Sequence, residues 1–275
     1  MKTWLVTGVS SGFGRALAEA ALSRGDRVVG TLRQEAQRAE FDALAPGRAF
    51  GVILDVRQDA DVRRVVGEIE TTVGPIDVLV NNAGYGYEGS IEEASMADIR
   101  AQFDVNVFGA ISVIQAVLPF MRQRRAGRIL NVTSMGGLMT FPGVGIYHGS
   151  KFALEGISET LAKEVAEFGI KVTAIEPGSF RTDWAGRSMQ RGARTIADYD
   201  ASFEPIRKAR AARSGNQPGD PLKAAQAILQ VADAPNPPVH LLLGSDALSL
   251  VREKLDGLKQ EIDAWEHVTV GTDFT

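Results

Sequence analysis

Tyr147 and Lys151 stand four residues apart in Gly145-Ile-Tyr-His-Gly-Ser-Lys151, with Ser134 thirteen residues before the tyrosine. A helix from about residue 148 puts an i, i+4 pair on one face, so the ammonium comes close to the phenol. A free tyrosine ionises near pH 10, and a neighbouring cation favours the ionised form, drawing the group toward the range where it can carry protons. Ser134, on a loop after the apolar strand 129–132, is placed to hold a substrate oxygen against that phenol. Taken alone, the pair reads more readily as a surface tyrosine and a solvated lysine. Other motifs have to decide.

The N-terminal run Thr7-Gly-Val-Ser-Ser-Gly-Phe-Gly14 lies between an apolar strand at 2–7 and a helical pattern at 15–22. Glycines at such a junction let the backbone turn tightly and approach a bound group, while the helix N-terminus offers unpaired N–H donors and positive dipole to a pyrophosphate. Gly8, Ser10, Ser11, Gly12, Phe13 and Gly14 are therefore candidate dinucleotide contacts. The spacing differs from the GxGxxG of the common fingerprint. A plain glycine-rich turn is the alternative.

Positioning these groups requires alternating elements. Further apolar strands are predicted at 27–31, 49–54, 78–81, 128–132, 171–175 and 239–243, with helical patterns between them. Their near-continuous apolar character implies burial on both faces. The expected fold is α/β: a Rossmann-type, doubly wound, mostly parallel sheet of about seven strands with helices on both faces. Asp55, the 81–84 turn, Ser134 and Pro177 all fall just past strand C-termini, where such sheets bind ligands.

The chain has 275 residues, 44% of them hydrophobic, enough for one large domain with a substantial core. Cysteine is absent, and His148, His240 and His267 are too far apart for a local metal motif, so no metal is expected. A net charge of −4 gives no electrostatic reason for a nucleic-acid partner. No run of the sequence reaches the length of a membrane span, and the N-terminus enters a strand without a leader pattern. A cytoplasmic location is the expectation.

With these residues in order, the chain resembles the short-chain dehydrogenase/reductase family in its single-domain branch, over about residues 3 to 245. The family's TGxxxGxG matches Thr7 to Gly14, its NNAG matches Asn81 to Gly84, and its Pro-Gly followed by threonine matches Pro177, Gly178 and Thr182. Its catalytic asparagine, serine, tyrosine and lysine fall on Asn106, Ser134, Tyr147 and Lys151. The resemblance implies hydride transfer between a nicotinamide and a carbonyl or secondary alcohol, with Tyr147 as general acid/base. Lys151 would lower the tyrosine pKa and hold ribose hydroxyls, Ser134 would stabilise the substrate oxygen, and Asn106 would hold a water on the proton path. Further cofactor contacts carried over are Asp55 and the Val56 backbone at the adenine, Asn82, Ala83 and Gly84 at the ribose, and Pro177, Gly178, Phe180 and Thr182 at the nicotinamide. Relatives commonly form homodimers or homotetramers. The glycine motif, Arg33 and the long C-terminal tail also resemble the group containing retinol- and hydroxysteroid-dehydrogenase-like enzymes.

The second strand ends Gly30-Thr-Leu-Arg33, without the acid that would hold a ribose 2′-hydroxyl. Arg33 suits a 2′-phosphate, with Thr31 adding a hydroxyl, so NADP is expected and NAD remains the alternative. Many NADP-dependent members carry a basic residue where this chain has Ser11.

Residues 184–218 are too long for a bare connector and read as a substrate lid, with Trp184, Met189, Tyr199 and Phe203 suiting a bulky or apolar substrate. Its arginines read as solvated surface charge. His148 points away from Tyr147 and reads as structural. Leu248, Val251, Leu255, Leu258, Ile262 and Trp265 form a narrow apolar stripe on a C-terminal helical extension, about 246–275, which docks on the parent domain or covers a subunit interface. Two rival classes are weaker: sugar-nucleotide epimerases and dehydratases share the Tyr–Lys pair but usually carry TGxxGxxG and a longer substrate domain. A cofactor-binding regulator without turnover generally lacks one of Ser134, Tyr147 or Lys151.

Overall fold

The computed structural model describes residues 1–274 apart from 183, 185 and 187. The chain runs β1 (Thr3–Val6), α1 (Gly12–Ser23), β2 (Arg27–Leu32), α2 (Glu35–Asp42), β3 (Ala49–Ile53), α3 (Asp59–Thr72), β4 (Val78–Asn81) and β5 (Gly86–Glu88). It continues α4 (Met96–Phe103), α5 (Ala110–Arg124), β6 (Gly127–Val132), α6 (Gly145–Glu164), β7 (Ile170–Pro177), β8 (Met189–Arg191) and α7 (Asp200–Arg213). The last elements are α8 (Pro221–Asp233), β9 (His240–Leu243), α9 (Ser245–Ala264) and α10 (Glu266–Val270).

Seven strands form one sheet in the order β3-β2-β1-β4-β6-β7-β9, and every pairing in it is parallel. This is the doubly wound sheet the sequence predicts. Each face is covered because each face is apolar. On one side Trp4, Val6, Val28 and Val78 pack with Leu17 of α1, Phe41 of α2 and Ile228 of α8. On the other, Leu5, Val29, Leu79 and Ile129 pack with Val65 of α3, Val117 of α5 and Leu161 of α6. The strand order reverses between β1 and β4, which opens a crevice past their C-terminal ends. Gly8 follows β1 and Asn82 follows β4, so both motifs flank it.

Three features differ from the sequence expectation. Residues 86–88 and 189–191 pair as a separate two-stranded ribbon, too short to register as periodic strands. The helix bearing Tyr147 begins at Gly145, so the tyrosine lies in its first turn. The segment 96–124 is one continuous helical run of 29 residues with an 18-residue window of mean hydropathy 1.6, which by length and composition suffices to cross a bilayer. That corrects the reading that no run reaches such a length. Half of the window is buried inside the protein, and the run is interrupted by a π-helical turn at Asp104–Gly109.

The C-terminal stripe is divided. Of its members Val251 is buried, beside Ala247, whereas Leu248, Leu255, Leu258, Ile262 and Trp265 are exposed.

Candidate active site

The glycine turn is built by exclusion of side chains. Gly8 and Gly12 have φ of 74° and 60°, a region that favours glycine. A Cβ on Gly14 would lie within 3.0 Å of both Gly8 O and Asn82 Nδ2. That amide is itself committed, donating to Thr7 O and Gly8 O at 2.9 Å each. Thr7 Oγ1 in turn accepts from the N–H groups of Asn82 and Ala83, both at 2.9 Å. Asn82 and Ala83 thus brace the turn through polar bonds that run across the crevice from β4 to β1.

The start of α1 fits a pyrophosphate on two observations. Ser11, its N-cap, makes no side-chain cap bond, and the first turn contains no acidic residue to compete with an anion. Thr182 lies over Gly12, 3.7 Å from where its Cβ would be, and Phe13 meets Phe180 edge to face with ring centroids 5.0 Å apart. The segment after β7 is therefore folded back onto the glycine turn. Ser10 is exposed at the mouth.

Several predicted contacts have other partners. Thr31 is buried, and its Oγ1 accepts from Gly8 N at 3.0 Å, so it supports the turn from beneath and is withdrawn from the surface where a 2′-phosphate would lie. Arg33, one residue beyond β2, is exposed. Asp55 is gripped by Arg57, whose Nε contacts both carboxylate oxygens at 3.0 Å, and that hydrogen bonding holds its carboxyl below the usual range. Val56 is buried against Gly109, where a Cβ would come within 3.0 Å of its Cγ2. Gly178 has no Cβ because Asp246 occupies that space: Asp246 Oδ2 accepts from Ser179 N at 2.8 Å. Asp246 carried no sequence signal. It lies far along the chain from Gly178 and Ser179, in the first turn of α9, and only folding joins them.

Asn106 sits inside the π-helical turn, which explains how a polar side chain is accommodated in an apolar helix. Its Nδ2 donates to Tyr85 O at 3.0 Å and to Ser150 Oγ at 3.1 Å, while its Oδ1 accepts from Tyr85 N at 3.1 Å. Both amide hydrogens are spent on protein groups. The resemblance implied a water-holding role; in this geometry Asn106 fixes the backbone after Gly84. A Cβ on Gly84 would be 3.1 Å from Asn106 Oδ1 and 3.8 Å from Lys151 Nζ, so the bare glycine keeps the crevice floor open beside the lysine.

Tyr147 and Lys151 are both buried on one face of α6. Lys151 Nζ donates to Val132 O at 2.9 Å and lies 5.7 Å from the centre of the Tyr147 ring. Burial pushes the Tyr147 phenol up to about 12, opposed by the facing Ser134 hydroxyl. Burial likewise pulls Lys151 down to about 8, opposed by the charge of Glu155. The sequence reading had the cation drawing the phenol's pKa down. In the folded protein removal from water dominates both groups, because both are buried, and the shift of the phenol is upward. Ser134 Oγ also accepts from Gly136 N at 3.0 Å, which fixes the hydroxyl at the start of its loop.

His148 has both ring nitrogens engaged: Nδ1 is 2.7 Å from Gly136 O, and Nε2 accepts from Phe141 N at 2.9 Å. This assigns the proton to Nδ1. The histidine ties the Ser134 loop to α6, a structural role in keeping with its position on the helix.

Over Tyr147 lies Trp184, with ring centroids 5.1 Å apart. Residues 185 and 187 of the predicted lid lie outside the described residues. The rest of the segment is tied down by acids on the core. Glu93 Oε1 accepts from Thr195 N at 2.6 Å and Ile196 N at 2.9 Å, and Arg194 Nε contacts Oε2 at 3.1 Å. Arg210 pairs with the buried Glu88 at 3.1 Å. Arg194 and Arg210 are thus partners of buried carboxylates rather than solvated charges, a correction that no local pattern foretells, since each glutamate lies about a hundred residues upstream.

The short chain dehydrogenase family matches residues 2–193 of this chain. Oxidoreductase BOA17 of Botryotinia fuckeliana is 38% identical over 98% of this chain and 99% of its own. A 3-ketodihydrosphingosine reductase of Bacteroides thetaiotaomicron is 37% identical over 87% of each chain. A short-chain dehydrogenase from Streptomyces avermitilis superposes with a TM-score of 0.92 at 42% identity, over 99% of this chain and 98% of that one. One from Burkholderia phymatum, in complex with NAD, superposes with a TM-score of 0.83 at 26% identity, over 94% and 95%. The protein is an oxidoreductase of the short-chain dehydrogenase family.

Proposed function

We propose that this enzyme is an NADP-dependent oxidoreductase that interconverts a carbonyl and a secondary alcohol, with Tyr147 as the proton carrier. The observation that carries the reading is the convergence on one buried surface of the Tyr147 phenol, the Ser134 hydroxyl facing it and the Lys151 ammonium beside Gly84. When bound, the nicotinamide supplies or accepts the hydride.

Each residue has a separate task. Tyr147, held neutral by burial, is in the donor form that a carbonyl oxygen needs as negative charge develops on it. Ser134, anchored by Gly136 N, orients that oxygen and stabilises its charge. Lys151 spends one of its three donors on Val132 O, and the others, beside Gly84, would hold the ribose hydroxyls of a bound nicotinamide dinucleotide. Asn106 is a positioning residue that fixes the 84–85 backbone. Gly12 and Gly14, with the uncapped start of α1, take the pyrophosphate. Residues 184–218 form the lid, and Trp184 against Tyr147 keeps water from the reacting oxygen. Trp184 over Tyr147 suits a ketone or alcohol on a bulky apolar skeleton, and the Bacteroides relative is named as a 3-ketodihydrosphingosine reductase.

For the 2′-phosphate, support comes from exposed Arg33 just past β2 and from the lack of an acid at that strand end. The NAD carried by the Burkholderia structure favours the second reading, a chain that uses NAD. A panel of ketones and aldehydes with NADPH and NADH, followed at the nicotinamide absorbance, tests both. Tyr147→Phe should lower kcat by about 100-fold or more. Undiminished turnover in that variant would remove the proton-transfer assignment. Arg33→Ala should raise the KM for NADPH about 10- to 100-fold, as expected for lost charge-assisted hydrogen bonds, and leave that for NADH unchanged. Equal effects on both cofactors would refute the role of Arg33.

A further inference from the structure

Beyond the hydride-transfer site, α6, β7 and β9 bring together three ligating side chains that the mechanism does not use. Glu155 lies one turn past Lys151 on α6, Glu176 is the penultimate residue of β7, and His240 opens β9. Glu155 and Glu176 are 3% and 0% exposed. Both oxygens of Glu155 and Oε2 of Glu176 are inaccessible to water and have no hydrogen-bond partner. The neighbouring Thr133 hydroxyl does not relieve Glu155, because it donates its single hydrogen to Ile175 O at 2.9 Å. Of the four carboxylate oxygens only Glu176 Oε1 is hydrogen-bonded, to His240 Nδ1, and two facing buried carboxylates so poorly supplied with donors are costly unless something positive lies between them.

His240 supplies the third ligand and the route from solvent, since its side chain is 39% exposed. Its Nδ1 faces the two buried acids, 2.7 Å from Glu176 Oε1 and 3.5 Å from Glu155 Oε2. The second distance is close to the roughly 3.4 Å edge between ligands of a four-coordinate ion with bonds near 2.1 Å. Its other nitrogen, Nε2, lies 3.5 Å from Glu159 Oε1, longer than a hydrogen bond but near enough for that carboxylate to take up the outer N–H of a metal-bound imidazole. One ligand atom from each of Glu155, Glu176 and His240 lies within 4.8 Å of the others, so small side-chain rotations close the set.

We propose that Glu155, Glu176 and His240 bind one divalent transition-metal cation of the zinc type, clamping the edge strand β9 to α6 and β7. Imidazole with two carboxylates selects such an ion over magnesium or calcium, which take all-oxygen sets. A charge of +2 balances the two carboxylates, and the exposed side leaves a coordination position for water. No local spacing marks the site, since the three histidines are dispersed and two of the three ligands are glutamates brought in by different elements.

The test is calorimetric titration of chelator-treated protein with zinc chloride, repeated in buffers of different ionisation enthalpy, together with thermal unfolding with and without zinc. Expected are one zinc per chain, release of protons on binding, and a melting temperature raised by the metal. His240→Ala should weaken binding by at least about tenfold and abolish the thermal shift, whereas His267→Ala should change neither. Because His240 is at the surface, its variant reads out even if Glu155→Gln or Glu176→Gln fails to fold. Binding of equal strength in His240→Ala, or the absence of stoichiometric binding in the unaltered protein, would overturn the proposal and leave the acids sharing a proton.

Discussion

Replacing Lys151 by methionine separates what the fold prefers from what the chemistry needs. Burial lowers the Lys151 pKa from its ordinary 10.5 to about 8. At about 1.4 kcal/mol per pH unit, keeping the ammonium charged in the folded protein at neutral pH costs about 3 kcal/mol. Methionine has nearly the same length and carries no charge, so Lys151→Met removes that cost. It also deprives Val132 O of its 2.9 Å donor, an offset of about 1 kcal/mol. The variant should therefore be about 2 kcal/mol more stable than the parent at pH 7, a rise in Tm of roughly 4–8 °C, while losing turnover. The sign of the pH dependence follows from the lowered folded value. Between about pH 8 and 10.5 the unfolded lysine binds more protons than the folded one, so the parent gains stability as pH rises through that window. The advantage of the variant should be full below pH 8 and shrink toward pH 10.5. Thermal or urea unfolding of both proteins at pH 7 and pH 10 measures it, and titrating groups that do not face Lys151 cancel in the difference, Glu155 being the one that does. A variant less stable than the parent at pH 7, or a difference independent of pH, would refute the account of Lys151 as a charge held in place at the expense of stability.

Two further outcomes are expected. Gly14→Ala places a Cβ within 3.0 Å of Gly8 O and Asn82 Nδ2, so it should lower stability by about 1–3 kcal/mol and weaken dinucleotide binding at the same time, as read by melting temperature and cofactor fluorescence titration; loss of neither would mean the turn is not packed as described. The Glu93 carboxylate is held down at about 2, first by the Ser90 hydroxyl and then by Thr195 and Ile196 N–H, so the stability it lends to the 194–196 segment is present above about pH 4.5 and is lost as pH falls toward 2. Limited proteolysis should then cut near residue 195 faster at pH 3 than at pH 6, and Glu93→Ala should show the fast cleavage already at pH 6; equal rates would argue against this tether.

Much of the architecture was legible because it is local. Apolar runs at 27–31, 78–81 and 128–132 mark strands buried on both faces, and the observed strands differ from them by one residue at most. Thr7 to Gly14, Asn81 to Gly84 and the Tyr147–Lys151 spacing are contiguous or one helical turn long, and backbone geometry alone brings their members together. Even there, local reading has a limit. Asn106 entered only through the family resemblance, and its side chain, on a π-helical turn, is satisfied by Tyr85 and Ser150, 21 and 44 residues away.

What the tertiary structure alone decided are the quantities that depend on water being excluded. Charge proximity along α6 argues for a lowered Tyr147 pKa, but the enclosure of both side chains raises the phenol and lowers the ammonium, and enclosure is a property of the packed sheet, the Ser134 loop and Trp184 together. The same holds for the partners of distant charges. Glu93 with Arg194, Glu88 with Arg210, Ser179 with Asp246, and Glu155 and Glu176 with His240 have no spacing that marks them, because the chain between them is free to be of any length. Sequence periodicity fixes which face of an element is apolar. Only the closing of the layers decides which polar groups are left inside, and therefore which of them must find one another, a proton or a cation.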